Sequence, residues 1–292
     1  MKRRIRDIAV LTAVTILAGC SGNSSSGSGS RAEPRYVNGY VGASNVHNAL
    51  VQAVPINASG QPRTTINDSR AEVYDGERAS STAQAYYRVA VSEQDIGHPM
   101  TLITLAKDGQ DDGDNQTRIR CQLVAGCGGS WSYGSDAVVD QRLQIAGDGA
   151  DTPAYELRAS VGNVMEDMRI NVNWITHLAS AFAYTSYIDQ SGNEGTDPTT
   201  PRSGIYTDVT IERANLWLNR MFGVADIISS QPLEPYDLRN ENDVSTAQLS
   251  DAIYYGALVA GAQQLAKDEG LNEVTWLYYL VDDFLTYKGQ LY

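Results

Sequence analysis

The chain has 292 residues, 42% of them aliphatic, aromatic or cysteine and 20% charged, with 22 Lys and Arg against 35 Asp and Glu. That composition excludes a disordered tail, a collagen-like repeat and a bare membrane anchor, and the length suits about two domains with a sizeable core. The net charge is −13 and only four of the basic residues are lysines, so no basic stripe is available to neutralise phosphates and nucleic acid is not an expected partner.

Lys2, Arg3, Arg4 and Arg6 form a positive region ahead of a short apolar run, Ile8 to Gly19. Twelve residues are too few to cross a bilayer, which takes about 20, and the arrangement over residues 1–19 is that of an export signal. The run ends in Leu17-Ala18-Gly19-Cys20, which resembles the lipobox of bacterial lipoproteins. The resemblance implies a palmitate-bearing, lipidated Cys20, with the signal cut off before it. Several acyl chains hold a protein at a membrane durably where one does not. Ser21 in place of Asp implies passage to the outer membrane, with the body on its periplasmic or cell-surface face.

Ser21 to Ser30, SGNSSSGSGS, contains nothing to bury, so residues 20–34 read as the lipidated cysteine and a flexible tether. Cleavage before Cys20 leaves 18 basic against 34 acidic residues. Anionic lipid repels so acidic a body, so the acyl chains must do the holding.

From Arg35 to about Ser160 the pattern is that of short strands. Tyr36–Val41 comes first, then Val46–Val54, alternating through Val46, Asn48, Leu50, Gln52 and Val54, then a turn at Asn57-Ala58-Ser59-Gly60 with Pro62. Further runs at Ala85–Val91, Thr101–Ala106, Thr117–Val124 and Ala154–Val161 are separated by Gly, Asp and Asn, a spacing that predicts a sandwich. From about Asn171 the period becomes helical. Trp174, Leu178, Ala181 and Phe182 form one stripe, and Ile211, Ala214, Leu218 and Phe222, closed by Gly223, form a second. Leu249, Ala252, Ile253, Gly256 and Ala260 form a third whose small residues allow close approach, and Trp276, Leu277, Leu280, Val281, Phe284 and Leu285 form a fourth. The expected fold is therefore α+β in two domains: a β-sandwich over residues 35–168, Ig/transthyretin-like by the resemblance that its Gly39–Arg63 stretch carries, and a small all-α domain over 169–292.

Gly39 to Arg63 resembles the opening of a carboxypeptidase-regulatory-like module, a transthyretin-like sandwich, with Ala49, Val51 and Gly60 at its characteristic places. Tyr86-Tyr87-Arg88-Val89 is similar to the later Gly-x-Tyr-x-Val strand, with Ala85 standing where that pattern has glycine. The order of elements is similar to outer-membrane lipoproteins of Gram-negative bacteria, in which Leu-Thr-x-Leu-Ala opens the helical part, as Ile175-Thr176-His177-Leu178-Ala179 does here. The resemblance implies an accessory, non-catalytic module and brings no active site with it.

Cys121 and Cys127, with five residues between them and glycines beside them, read as a local disulfide in an exported protein. Closing so short a loop is worth roughly 2 kcal/mol on the chain-entropy model. Asp108, Asp111, Asp112 and Asp114 offer hard oxygen ligands for a structural Ca²⁺, but Ile119 stands where an EF-hand has its bidentate Glu, so this run is either a solvated turn or a non-EF-hand calcium site. No other cofactor is expected. His47, His98 and His177 are too scattered for a zinc motif. No nucleophile elbow or phosphate-cradling glycine loop is present, and the adjacent pairs Glu166-Asp167 and Asp282-Asp283 do not share a helix face. Seventeen tyrosines against three phenylalanines suit sugar stacking or wet interfaces, Tyr254-Tyr255, Tyr278-Tyr279, Tyr184 and Tyr187 being the helical candidates. The expected function is a non-enzymatic, membrane-anchored binding module for an envelope protein or a polysaccharide. Its rivals are a glycan-binding surface protein and an envelope hydrolase with a dispersed acid/base pair.

Overall fold

The computed structural model describes residues 35–66, 72–82, 84–107, 116–139, 155–185, 204–233 and 246–291. The export signal, Cys20, the tether, the aspartates at 108, 111, 112 and 114, and Tyr187 lie outside the described residues.

The strands are β1 (Arg35–Tyr40), β2 (Val46–His47), β3 (Leu50–Pro55), β4 (Thr64–Ile66), β5 (Glu72–Tyr74), β6 (Glu77–Ser80), β7 (Tyr86–Val91), β8 (Met100–Leu105), β9 (Arg118–Arg120), β10 (Asp136–Val138) and β11 (Glu156–Val161). All their ladders are antiparallel. The largest sheet runs β11-β8-β3-β6, beside a β1-β7 pair, a β10-β9-β2 sheet and a β4-β5 hairpin. The helices are α1 (Trp174–Thr185), α2 (Asp208–Phe222), α3 (Thr246–Asp268) and α4 (Glu273–Thr286). The class is α+β.

Three departures from the sequence pattern have physical causes. The expected strand Val46–Val54 is broken at Asn48, whose φ of 57° turns the chain, so β2 pairs with β9 and β3 enters the large sheet. There β3 is covered on both faces: Val51, Gln52, Ala53 and Val54 are all buried, which erases its alternation. β9 stops at Arg120, because the next residue opens the disulfide loop. The strands β4, β6 and β10 are short and largely exposed, so they carry no apolar period to read.

Helix α2 shows how local chemistry sets its ends. Thr207 caps it by accepting from the Thr210 N–H at 3.0 Å, and Thr210 Oγ1 accepts from the Thr207 N–H at 2.9 Å, a reciprocal capping box. Gly223 ends it in the left-handed region at φ 64°, as the stripe predicted.

Pro34–Tyr292 forms one compact unit, and among the described residues one continuous core runs through its β-rich and helical segments. The segment expected to be a boundary is bonded into the β structure instead. Asn38 N–H donates to Met168 O (3.0 Å), Ile170 N–H to Asn38 O (2.7 Å) and Val172 N–H to Tyr40 O (2.9 Å), so the chain runs parallel to β1 on its way into α1. The buried Tyr87 hydroxyl donates to Ile170 O as well. Helix α1 packs against β11 and touches all three other helices. It buries Ile175 and Ala179 as well as the predicted Trp174, Leu178 and Phe182, while the predicted Ala181 is half-buried. Across the same junction, Ser160 of β11 bonds Ser180 of α1 at 2.6 Å, and Ser180 bonds Tyr206 at 3.1 Å, a hydroxyl chain away from water. The Asn57–Gly60 turn docks there too, Gly60 O accepting from the Tyr206 N–H at 2.8 Å.

Candidate functional site

Two concavities combine functional side chains. The larger, about 470 Å³, is a groove on the helical face. Its floor is Trp174 at the start of α1, with Phe222 from the end of α2 and Trp276 from α4 set edge-on to it at 5.3 and 5.8 Å. The Trp174 indole N–H donates to Val259 O at 3.0 Å and the Tyr254 hydroxyl to Phe222 O at 2.8 Å, so the polar handles of both rings are used within the protein. Helix α3 supplies one wall through Tyr254, Leu258, Gly261 and Leu265, a spacing that keeps them on one face. Gln264 is the single polar non-aromatic side chain of the lining.

This face of α3 differs from the predicted one. The buried face carries Tyr255, Val259, Ala262 and Ala266, with Gly256 and Ala260 of the predicted stripe buried as well, and Gly256 admits the backbone of Leu233 so closely that a Cβ would stand 1.8 Å from its carbonyl oxygen. The small residue serves a loop rather than a neighbouring helix. Because α3 is apolar on two faces, its periodicity points to neither, and the groove was hidden for that reason. Leu265 and Tyr254, each 48% exposed, are its visible trace.

The smaller concavity, about 210 Å³, lies where the start of β11 meets α1 and the first turn of α4, and Tyr155, Glu156, His177, Glu273 and Tyr278 line it together with apolar residues. His177 Nδ1 accepts from the Arg158 backbone N–H at 3.0 Å, which places the ring proton on Nε2. Burial, helped by the nearby Arg158 charge, pushes the His177 imidazole down to about 3, so it is neutral at ordinary pH. Burial also pushes the Glu273 carboxyl up to about 7, partly offset by the Gln263 carboxamide. The Tyr155 phenol is raised well above its usual value, first by burial and then by Glu273. Glu156 is engaged by the Arg158 guanidinium, which also donates to the Tyr74 hydroxyl oxygen at 2.7 Å. The scattered histidines gave no sign of this cleft, and the adjacent acidic pairs pointed elsewhere. Glu166 pairs with Arg35, and Asp282 and Asp283 are exposed.

Cys121 and Cys127 are joined by a disulfide, their Cα atoms 5.8 Å apart. Gly126 at φ 76° and Gly128 at φ 118° take backbone conformations that other residues avoid, which is why glycine flanks the second cysteine. The loop is docked on α3: Lys267 Nζ donates to Gly126 O at 2.7 Å, and Gln263 Oε1 accepts from the Gln122 N–H at 2.9 Å. His47 is buried with Nδ1 3.7 Å from an Asp136 carboxylate oxygen, and His98 sits exposed in a turn. Among the described residues no three His, Cys, Asp or Glu gather to hold a metal, and no helix is long and apolar enough to cross a membrane. Of the helical tyrosines, Tyr255 is buried and Tyr184 bonds Gln61 at 2.9 Å, whereas Tyr278 and Tyr279 are exposed with their rings edge-to-face. No protein-family model matches this chain, and no curated protein or solved structure is significantly similar to it.

Proposed function

We propose that this chain is an outer-membrane lipoprotein, anchored through Cys20, that works by binding rather than catalysis, and that its helical groove binds an aliphatic chain. The apolar groove carries this reading. Its volume of about 470 Å³ falls within the range of small-ligand pockets. A stable protein interface needs roughly 800 Å² from each partner together with a polar rim, which suits a flatter and wetter surface. A lining with one polar non-aromatic side chain, in which the Trp174 and Tyr254 handles are internally satisfied, has little with which to recognise anything but hydrocarbon. The transthyretin-like form of the β segment belongs to the same proposal. It is supported by the packing of β7 against β3 and β6, which brings the β1-β7 pair onto the large sheet.

Gly261 offers a clean test, because a Cβ there meets nothing within 4 Å. Gly261→Leu is expected to project a side chain into the groove and abolish the fluorescence gain of cis-parinaric acid expected with the wild type. If the variant binds the probe as the wild type does, or neither binds it, the groove is not a hydrocarbon site. The anchor is tested separately: Cys20→Ala should move the chain from the membrane fraction to the soluble fraction and abolish incorporation of labelled palmitate. Retention of label by the variant would refute lipidation at Cys20.

One observation favours a second reading. Glu156 and Glu273 line one cleft, as a hydrolase with a dispersed carboxylate pair requires. That activity would release soluble fragments from envelope polysaccharide and would be lost in Glu273→Gln.

A further inference from the structure

We propose that the cleft between β11, α1 and α4 binds a primary ammonium group, with Glu273 as its counter-charge and the Tyr155 hydroxyl as a second acceptor. Two buried polar atoms there, Glu273 Oε2 and Tyr155 Oη, make no hydrogen bond. Tyr155 is only 4% exposed, so bulk water does not satisfy its hydroxyl. Buried polar groups in folded proteins nearly always have partners, and two orphans carried by residues that line one cavity point to something that occupies it. The cavity of about 210 Å³ is smaller than a drug-sized site and suits the end of a chain.

The charges select the ligand. Glu156 is already engaged by Arg158, whose guanidinium is further held by the Tyr74 hydroxyl. His177 spends Nδ1 on the Arg158 N–H and is neutral. Tyr278 rims the cleft and Gln263 approaches the carboxylate from α3, neither bringing a positive charge. Glu273 is thus the acid with no cation in contact among the described residues. An ammonium has three donors and no acceptor, matching a cleft whose orphans are a carboxylate oxygen and a phenol oxygen. The Tyr278 ring adds a π surface that attracts a cation. A divalent metal fits poorly, since Ca²⁺ takes six to eight oxygens and no such group is assembled here. The elevated Glu273 carboxyl is consistent with a buried acid that awaits a counter-charge.

The probe is n-butylammonium, titrated by NMR into the intact chain, with butan-1-ol and butyrate as chain-matched controls. Butylammonium should shift resonances around the cleft and the two controls should not. Affinity should rise about tenfold between pH 5.5 and 8.5, where Glu273 ionises while the amine, like lysine at about 10.4, stays protonated. By linkage, saturating amine should lower the Glu273 midpoint. Glu273→Gln should weaken binding by about tenfold or more and remove its pH dependence, and Tyr155→Phe should weaken it several-fold without lowering the melting temperature. Equal binding of butan-1-ol, undiminished affinity in Glu273→Gln, or a soaked crystal with an ordered water only in the cleft would each overturn the proposal. The cleft and the hydrocarbon groove are separate sites, so either can fail alone.

Discussion

Glu273→Gln should stabilise the protein at pH 8 and give it a stability that climbs from about pH 3 to about 6.5, whereas His177→Gln should give the opposite slope. The carboxyl of Glu273 is raised from 4.5 to about 7 because it is buried in the cleft. Between those values the native state keeps a proton that the unfolded chain has released. Stability therefore falls as pH rises through that window, by up to about 3 kcal/mol at 1.36 kcal/mol per unit. His177 runs the other way. Its imidazole is lowered from 6.5 to about 3, first by burial and second by Arg158. As pH falls below 6.5 the unfolded chain takes up a proton that the native state refuses, so stability present above 6.5 is lost toward 3, by up to about 5 kcal/mol.

The two windows overlap between 4.5 and 6.5, where the slopes cancel and the wild-type pair contributes almost no pH dependence. Each single variant removes one limb and unmasks the other. Denaturant titrations at several pH values, plotted as variant minus wild type, isolate these limbs from every other titrating group. A difference independent of pH for either variant would mean that the cleft does not perturb that residue.

Much of this fold is legible in the sequence, and the cleft is not, for a common reason. A stripe such as Ile211, Ala214, Leu218 and Phe222, closed by Gly223, is local information, and it places the end of α2 at Phe222. Tyr155, His177 and Glu273 come from three elements far apart in the chain, and nothing near any of them announces the others. The groove lies between these cases: Tyr254, Leu258, Gly261 and Leu265 keep helical spacing, but the opposite face of α3 is apolar too, so the period is blurred. The boundary expected at 168/169 falls where side-chain pattern and backbone bonding differ. Hydrophobic period switches there from strand to helix, yet the backbone at the switch pairs with β1, and hydrogen bonds of that kind leave no mark on side-chain pattern.

That pairing makes Gly39→Ala a costly small substitution in the β segment. A Cβ on Gly39 would stand 2.0 Å from Ile170 O and 3.2 Å from the Tyr87 ring. Ile170 O is backbone and accepts the Tyr87 hydroxyl, so neither neighbour is a loose end that swings away. Making room means lifting the 168–172 segment off β1, against the bonds from Ile170 N–H to Asn38 O at 2.7 Å and from Gly42 N–H to Val172 O at 2.8 Å. A loss of about 3–4 kcal/mol or more is expected, the range reached when a buried network breaks. Gly261→Ala is the control: its Cβ meets nothing within 4 Å, and removing a helical glycine should stabilise by up to about 1 kcal/mol. Because the lifted segment leads directly into Trp174 and α1, the damage should reach the helices. Tryptophan fluorescence, dominated by Trp174, Trp217 and Trp276 on the helices, and far-ultraviolet circular dichroism should lose their transitions together and at the same lowered temperature. A fluorescence transition that stays at the wild-type temperature would show that the helices fold as a domain of their own, and the shared core would then be a contact between two independent units.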